Sequence, residues 1–147
     1  IDPARLAASN ATWLGLQRDM PPLYSAMDVV ALPSYREGFP RSLVEASAMG
    51  RPIVTTEIRG CREVVSDGVT GLLVPVAQTA PLRTAFESLL PDVARCARIG
   101  RAGRARAVAR FDERAVFERI ELAYRELALG PGRGATHTRP QARQVTT

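Results

Sequence analysis

One stretch of the chain constrains the fold more than any other, because its pattern changes twice within a short distance. An apolar run from Asp28 to Leu32 is short enough for a buried strand, and residues 33–40 contain too many turn formers to continue it. From Arg41 the apolar residues follow a helical spacing, and Gly50 is a residue type that commonly ends a helix. The stretch therefore predicts a strand, a polar loop and a helix in succession.

This strand–loop–helix unit also predicts a binding site. In a parallel α/β sheet such a loop lies at the carboxyl edge of its strand, which is where ligands bind in these folds. The start of the following helix offers free backbone N–H groups at Ser42, Leu43 and Val44, together with the positive end of the helix dipole. We therefore expect an anionic ligand here, with a phosphate or diphosphate as the natural guest.

Two carboxylates flank the expected anion site, Glu37 in the loop and Glu45 in the helix. They would repel a phosphate, but ionised carboxylates accept hydrogen bonds and suit paired hydroxyls. A helix rises about 1.5 Å per residue, so the two groups should lie about 10 Å apart. A pyrophosphate between two diol-bearing sugars has about that length.

Each of these residues also has a purely structural interpretation. The helix dipole favours an acidic residue such as Glu45 without any ligand. Gly38 would permit a positive φ, and Pro40 would suit the first position of the helix. A rigid loop around Glu37 is harder to explain in this way, because a solvated charge needs no rigid neighbours.

In this stretch the chain resembles the family-4 (group 1) retaining glycosyltransferases, whose GT-B architecture has two facing Rossmann-like domains. Their signature is two glutamates separated by seven residues, which the segment from Glu37 to Glu45 fits. Three later blocks also resemble the family in the same order, and the resemblance covers roughly residues 13–124. These blocks are Gly50–Thr56, Gly60–Val65 and Asp67–Pro75.

The resemblance implies both an activity and a set of contacts. The family transfers a sugar from a nucleoside diphosphate sugar to an acceptor with retention, without a metal ion or another cofactor. No catalytic residue is assigned with certainty in this chain. The implied contacts are Glu37, Gly38, Phe39 and Pro40 for the donor sugar, the amides of Ser42 and Leu43 for the diphosphate, and Glu45 for the ribose.

The expected fold is α/β, an incomplete Rossmann-like parallel sheet with flanking helices that forms the C-terminal half-domain of a GT-B protein. We assign residues 1–128 to this partial nucleotide-sugar-binding domain and residues 129–147 to a disordered tail. Family members usually carry a lysine earlier in the same domain, and this sequence contains none. We therefore expect a fragment whose partners are the donor and a missing N-terminal acceptor domain.

Elsewhere the chain alternates between short apolar runs and helical patterns. We expect Trp13 and Tyr24 to be core or crevice-wall residues, and Arg59–Glu63 to be a second candidate site loop. The predicted elements are strands at Thr12–Leu16, Pro52–Thr56 and Leu72–Val76, and helices that begin near Pro21, near Thr79, after Pro91 and near Phe111.

Composition limits the remaining classes of function. The net charge of +5 comes from arginine, and one predicted helix carries a series of six: Arg95, Arg98, Arg101, Arg104, Arg106 and Arg110. The series lacks the interleaved aromatic residues that stack on bases, so we expect a solvated face, with weak binding to an anionic membrane surface as the second interpretation and no nucleic acid.

Cys61 and Cys96 match no metal-ligand spacing and are expected to be reduced thiols. No apolar run approaches the roughly 20 residues of a membrane span. We expect a cytoplasmic protein, or one peripheral to the inner face of the membrane.

Three other functions remain open on the sequence. One is an inactive, truncated module that binds sugar nucleotides. Another is a sugar-nucleotide epimerase or a phosphorylase of the same architecture, although an epimerase would need further histidines and the single histidine, His137, lies in the expected tail. The third, an anion- or nucleic-acid-binding protein, rests on the arginine series alone.

Overall fold

A computed structural model of the chain describes residues 9–129, which form two compact units divided after Asp112. The second unit contains one helix, α6, in these residues. The elements in chain order are α1 (Pro21–Ala26), β1 (Val30–Leu32), α2 (Arg41–Ala48), β2 (Ile53–Thr56), α3 (Arg59–Val64), β3 (Leu72–Val74), α4 (Thr79–Leu89), α5 (Val93–Phe111) and α6 (Glu113–Leu129).

The three strands form one parallel sheet in the order β1-β2-β3. Val30 lies opposite Ile53 in the first pair, and Val54 lies opposite Leu72 in the second. A helix connects each strand to the next, as parallel pairing requires. The predicted α/β class is therefore confirmed, and the carboxyl ends of all three strands meet at one edge.

The central strand, β2, is buried on both faces of the sheet. Ile53 belongs to one apolar cluster with Leu43 of α2 and Val64 of α3. Its neighbour Val54 belongs to a second cluster with residues of β3, α4 and α5. Successive side chains of a strand point to opposite faces, so this one strand joins the two layers of the core.

Two backbone hydrogen bonds fix the C-terminus of α2. Gly50 has a φ of +68° and donates its N–H to Ser47 O, while the N–H of Arg51 reaches Ala46 O. These two bonds make a Schellman motif, which confirms the predicted helix stop at Gly50. Helix α5 crosses at this point, and a Cβ built on Gly100 would lie 2.0 Å from Gly50 O.

The arginines of α5 do more than form the predicted solvated face. Arg95 donates to Ser88 O at the end of α4, and Arg104 donates to Ala48 O at the end of α2. Arg106 donates to the carbonyls of both Glu63 and Val64 at the end of α3. Cations are stabilising at helix C-termini, where carbonyl groups lack intrahelical partners. The prediction was wrong for Arg95 and Arg106, which are partly buried, and right for Arg104, which is exposed. All three residues tie α5 to earlier helices.

Two further predictions were wrong. The predicted strand at Thr12–Leu16 is irregular and exposed, and Trp13 is 69% accessible rather than buried. An apolar run becomes a strand only where a neighbouring strand supplies hydrogen bonds, and among residues 9–129 this run has no such neighbour. Arg59–Glu63, predicted as a loop, lies within α3.

The final helix, α6, begins at Glu113, within the segment around Phe111 in which its start was predicted, and α5 continues to Phe111. Arg125 and Glu121 form an ion pair one turn apart within it. The predicted tail at 129–147 lies outside the described residues except for Leu129. The proposed boundary between domain and tail therefore stays a prediction.

Candidate functional site

The loop that carries Glu37 follows β1 at the carboxyl edge of the sheet, as predicted. Ser34 Oγ donates to Glu37 Oε1 at 2.7 Å, so the carboxylate is held by a residue of its own loop. The carbonyl of Ser34 in turn accepts from the hydroxyl of Thr56, a buried residue at the end of β2. This relay of two hydroxyls links the position of Glu37 to the neighbouring strand.

Sequence reasoning missed the part that Ser34 and Thr56 play. The available signal was that each hydroxyl residue falls at or just after the end of a predicted strand. Thr55 makes a similar connection, since its hydroxyl donates to Leu32 O at 2.7 Å. Side chains at the ends of adjacent parallel strands lie at the same edge of the sheet, which is how these threonines reach the Glu37 loop.

The start of α3 lies directly against the Glu37 loop. A Cβ built on Gly60 would be 2.5 Å from Glu37 O and 2.6 Å from Gly38 O, so only glycine permits this close approach. Gly38 itself does not have a positive φ, and the conformational role suggested for it was wrong. The glycine that the site requires is therefore the one at position 60.

The other two predicted sugar contacts differ in their surroundings. Phe39 is half exposed, and its ring meets that of Phe111 edge-on at 5.4 Å between centroids. Pro40 is buried and precedes the first residue of α2 instead of occupying the first helical position. Both residues thus anchor the loop to the body of the unit while the backbone of Gly38 stays exposed.

The amides at the start of α2 are only partly free. The N–H of Leu43 donates to Pro40 O at 3.1 Å, and that of Val44 donates to the same oxygen at 3.4 Å. The expectation of free donors was therefore wrong for these two residues, because Pro40 O accepts a 3₁₀-type bond from Leu43 and the first α-helical bond from Val44. Pro40 has no polar side chain to cap the helix, and Ser42 lies exposed in this turn.

Glu45 lies one turn further along α2, and a buried tyrosine contacts it. Tyr24 is 3% exposed, and its hydroxyl lies 3.2 Å from both Glu45 Oε2 and Ser42 O. Burial, and then the charge and the hydrogen bond of Glu45, raise the pKa of Tyr24 to about 12. The phenol therefore keeps its proton at neutral pH and acts as a hydrogen-bond donor.

An open cavity of about 420 Å³ adjoins this pair. Its lining residues include Arg18, Met20, Tyr24, Glu45 and Met49. Among residues 9–129, no three His, Cys, Asp or Glu side chains are grouped closely enough to hold a metal ion. No helix in the same range combines the length and the apolar character needed to cross a bilayer.

The chain was compared with protein families and with individual proteins. Residues 2–92 match the family model described as glycosyl transferases, group 1. The capsular polysaccharide biosynthesis glycosyltransferase CapM of Staphylococcus aureus is 32% identical over 101 residues, which are 69% of this chain and 27% of CapM. The chain thus spans about a quarter of that relative's length.

Solved structures give the same result for the fold. The HepE protein of Anabaena, crystallised with UDP and glucose, superposes with a TM-score of 0.78 at 31% identity, over 84% of this chain and 34% of HepE. The C-terminal domain of the group 1 family protein LpcC from Francisella tularensis superposes with a TM-score of 0.62 at 21% identity, over 70% of this chain and 53% of that domain. The second match shows a shared fold only.

These matches agree with the geometry of the site. The family model covers the strand–loop–helix unit that holds Glu37 and Glu45, together with the sheet and the first four helices. Similarity to only part of each longer relative, and to a separate C-terminal domain, is what a partial C-terminal half of a GT-B protein would show. The chain belongs to the group 1 glycosyl transferases.

Proposed function

We propose that this chain is the donor-binding part of an enzyme that transfers a sugar from a nucleoside diphosphate sugar to an acceptor with retention of configuration. One observation carries the proposal. Glu37 and Glu45 lie on either side of the start of α2, and each carboxylate accepts a hydrogen bond from a hydroxyl, that of Ser34 or that of Tyr24. Two oriented acceptors beside a helix N-terminus suit a diphosphate with a sugar at each end.

The proposed contacts follow this arrangement. Glu37 and the loop residues Gly38, Phe39 and Pro40 bind the donor sugar, and Glu45 binds the ribose hydroxyls. The amides of Ser42 and Leu43 bind the diphosphate, with the Leu43 proton shared between Pro40 O and a phosphate oxygen, as three-centre bonds at helix ends commonly are. The helix start stabilises the charge on the leaving diphosphate electrostatically, and we assign no metal ion to this step.

Calorimetric titration of the purified chain tests the proposal. We expect one of UDP, GDP and their sugar conjugates to bind in preference to the others, and EDTA to leave that binding unchanged. Glu45→Ala should weaken it at least about tenfold, because hydrogen bonds to a charged group contribute about 1.5–3 kcal/mol. The matched control is Glu87→Ala, since Glu87 is an exposed helical glutamate that pairs with Arg83 at the surface.

Two results would contradict the proposal. One is a folded wild-type chain that binds none of these nucleotides. The other is an equal loss of affinity in both variants, since this would assign the effect to the removal of any helical glutamate and not to a contact with the ribose.

Sugar transfer by this chain alone should be very slow. The segments that match this chain are 27% of CapM and 34% of HepE. We propose that acceptor binding and the exclusion of water need the rest of such a protein. Release of radiolabelled sugar from the preferred donor, with and without simple acceptors, measures this. Turnover comparable to that of a complete relative would show that the described site is sufficient.

A further inference from the structure

Tyr24 makes a contact that packing alone does not require. Its ring is buried in the apolar cluster that includes Leu43 and Ala46 of α2, and a phenylalanine would fill that volume equally well. Its hydroxyl, however, needs a partner, because a buried phenol without one loses its hydrogen bonds to water. The partners are both on α2: the carbonyl of Ser42 and the carboxylate of Glu45.

The hydroxyl of Tyr24 acts on Glu45, whereas its ring acts on the core. Glu45 is an exposed residue, and an exposed glutamate loses considerable side-chain entropy when a ligand orders it. Tyr24 donates to Oε2 from a fixed, buried position, so it restricts the carboxylate before any ligand arrives and leaves Oε1 available. Preorganisation of this kind strengthens binding because less ordering remains to be done.

The cavity beside Tyr24 and Glu45 agrees with a role of this contact in ligand binding. Tyr24 and Glu45 both line it, so this residue pair borders space that a ligand can enter. The raised pKa of Tyr24 keeps the phenol protonated, and hence a donor, well above neutral pH.

We propose that Tyr24 is a positioning residue, which fixes the Glu45 carboxylate so that it can accept hydrogen bonds from the ribose hydroxyls of the donor. This inference rests on the proposed function, in which Glu45 is the ribose contact. It assigns to α1, which lies outside the motif that carries the two glutamates, an indirect part in nucleotide recognition.

A comparison of two nucleotides in two variants tests the role. Tyr24→Phe should bind UDP about two- to tenfold more weakly than the wild-type chain, the size expected when one further side chain must be ordered on binding. It should bind 2′,3′-dideoxy-UDP about as well as the wild-type chain does, since that ligand has no hydroxyls for Glu45 to accept. Tyr124→Phe, which removes the hydroxyl of an exposed tyrosine in α6, is the matched control and should bind both ligands unchanged.

The outcomes separate the two proposals. UDP binding by the wild-type chain with no loss in Tyr24→Phe, or with an equal loss for both ligands, overturns the positioning role and leaves the proposed function standing. No binding of UDP, GDP or their sugar conjugates by the folded wild-type chain removes both, and a chain that prefers GDP is tested in the same way with GDP and 2′,3′-dideoxy-GDP. Loss of UDP affinity in Glu45→Gln that does not increase when Tyr24→Phe is added supports the role, because the two residues then act as one unit.

A second measurement applies if Tyr24→Phe does not fold. Tyrosinate absorbance should show one tyrosine titrating near pH 12 in the wild-type chain, with circular dichroism confirming that the fold persists. Glu45→Gln should lower that pKa by removing the charge, and the pKa should stay above the ordinary value of 10 because burial is the larger cause. An unchanged pKa in Glu45→Gln would overturn the contact and with it the role.

Discussion

Gly100→Ala should destabilise the chain by about 3 kcal/mol, the upper part of the range for inserting a methyl group into a well-packed contact. The added Cβ would lie 2.0 Å from the carbonyl oxygen of Gly50, and a backbone atom cannot rotate away as a flexible side chain can. Gly50 is itself fixed by the Schellman motif and its positive φ, so α5 must move away from the end of α2. Urea denaturation followed by circular dichroism measures the change in the free energy of unfolding.

Helix α5 supplies its own control in Gly103→Ala. This residue is also buried, but a Cβ on it would meet Thr70 O at 3.5 Å, an ordinary van der Waals distance. Alanine is favoured over glycine in a helix by about 1 kcal/mol, so this variant should be as stable as the wild-type chain or more so. Equal destabilisation by both substitutions would mean that α5 tolerates no added methyl group anywhere along the crossing, and that the Gly50 contact is not special.

Gly60→Ala should weaken binding of the preferred sugar conjugate at least about tenfold, because displacing site atoms by about 1 Å can cost as much as a hundredfold. The added Cβ would lie 2.5 Å from Glu37 O and 2.6 Å from Gly38 O, so the loop proposed to contact the donor sugar must shift. Glu45 is held by Tyr24 of α1 and not by that loop. Affinity for the free nucleoside diphosphate should therefore fall much less.

The comparison of the two ligands separates a local effect from unfolding. Calorimetry with the conjugate and with the free diphosphate, on samples whose thermal unfolding has been recorded, gives both values. Gly103→Ala should leave both affinities unchanged. A loss of the same size for both ligands in a folded Gly60→Ala variant would show that Gly60 does not act through the sugar-binding loop.

The parts of the fold that local sequence determines were predicted well. The strand at β1, the turn-rich loop and the helical spacing from Arg41 each depend on residues within a few positions of one another. The helix stop at Gly50 is also local, because the Schellman motif needs only the last turn of the helix and a residue that tolerates a positive φ. For the same reason the positions of Glu37 and Glu45, in the loop and in the helix, followed from the sequence.

Other features depend on partners far away in the chain, and the sequence pattern did not predict them. The run at Thr12–Leu16 looks like a strand, but whether it pairs depends on a neighbour that periodicity does not reveal. Arg104 and Arg106 read as a solvated series, whereas their carbonyl partners belong to α2 and α3. Long-range hydrogen bonds of this kind exist only once the helices have been placed against one another.

The candidate site divides in the same way. The sequence by itself determined where the two glutamates lie in the chain's local structure, because a motif of two glutamates around a helix start is contiguous. Only the tertiary structure decided how each glutamate is held: Glu37 through Ser34 and the close approach of Gly60, and Glu45 through Tyr24. Which residue can bind a ligand depends on the local sequence, whereas the orientation of its side chain depends on side chains that folding brings from other elements. Binding requires that orientation.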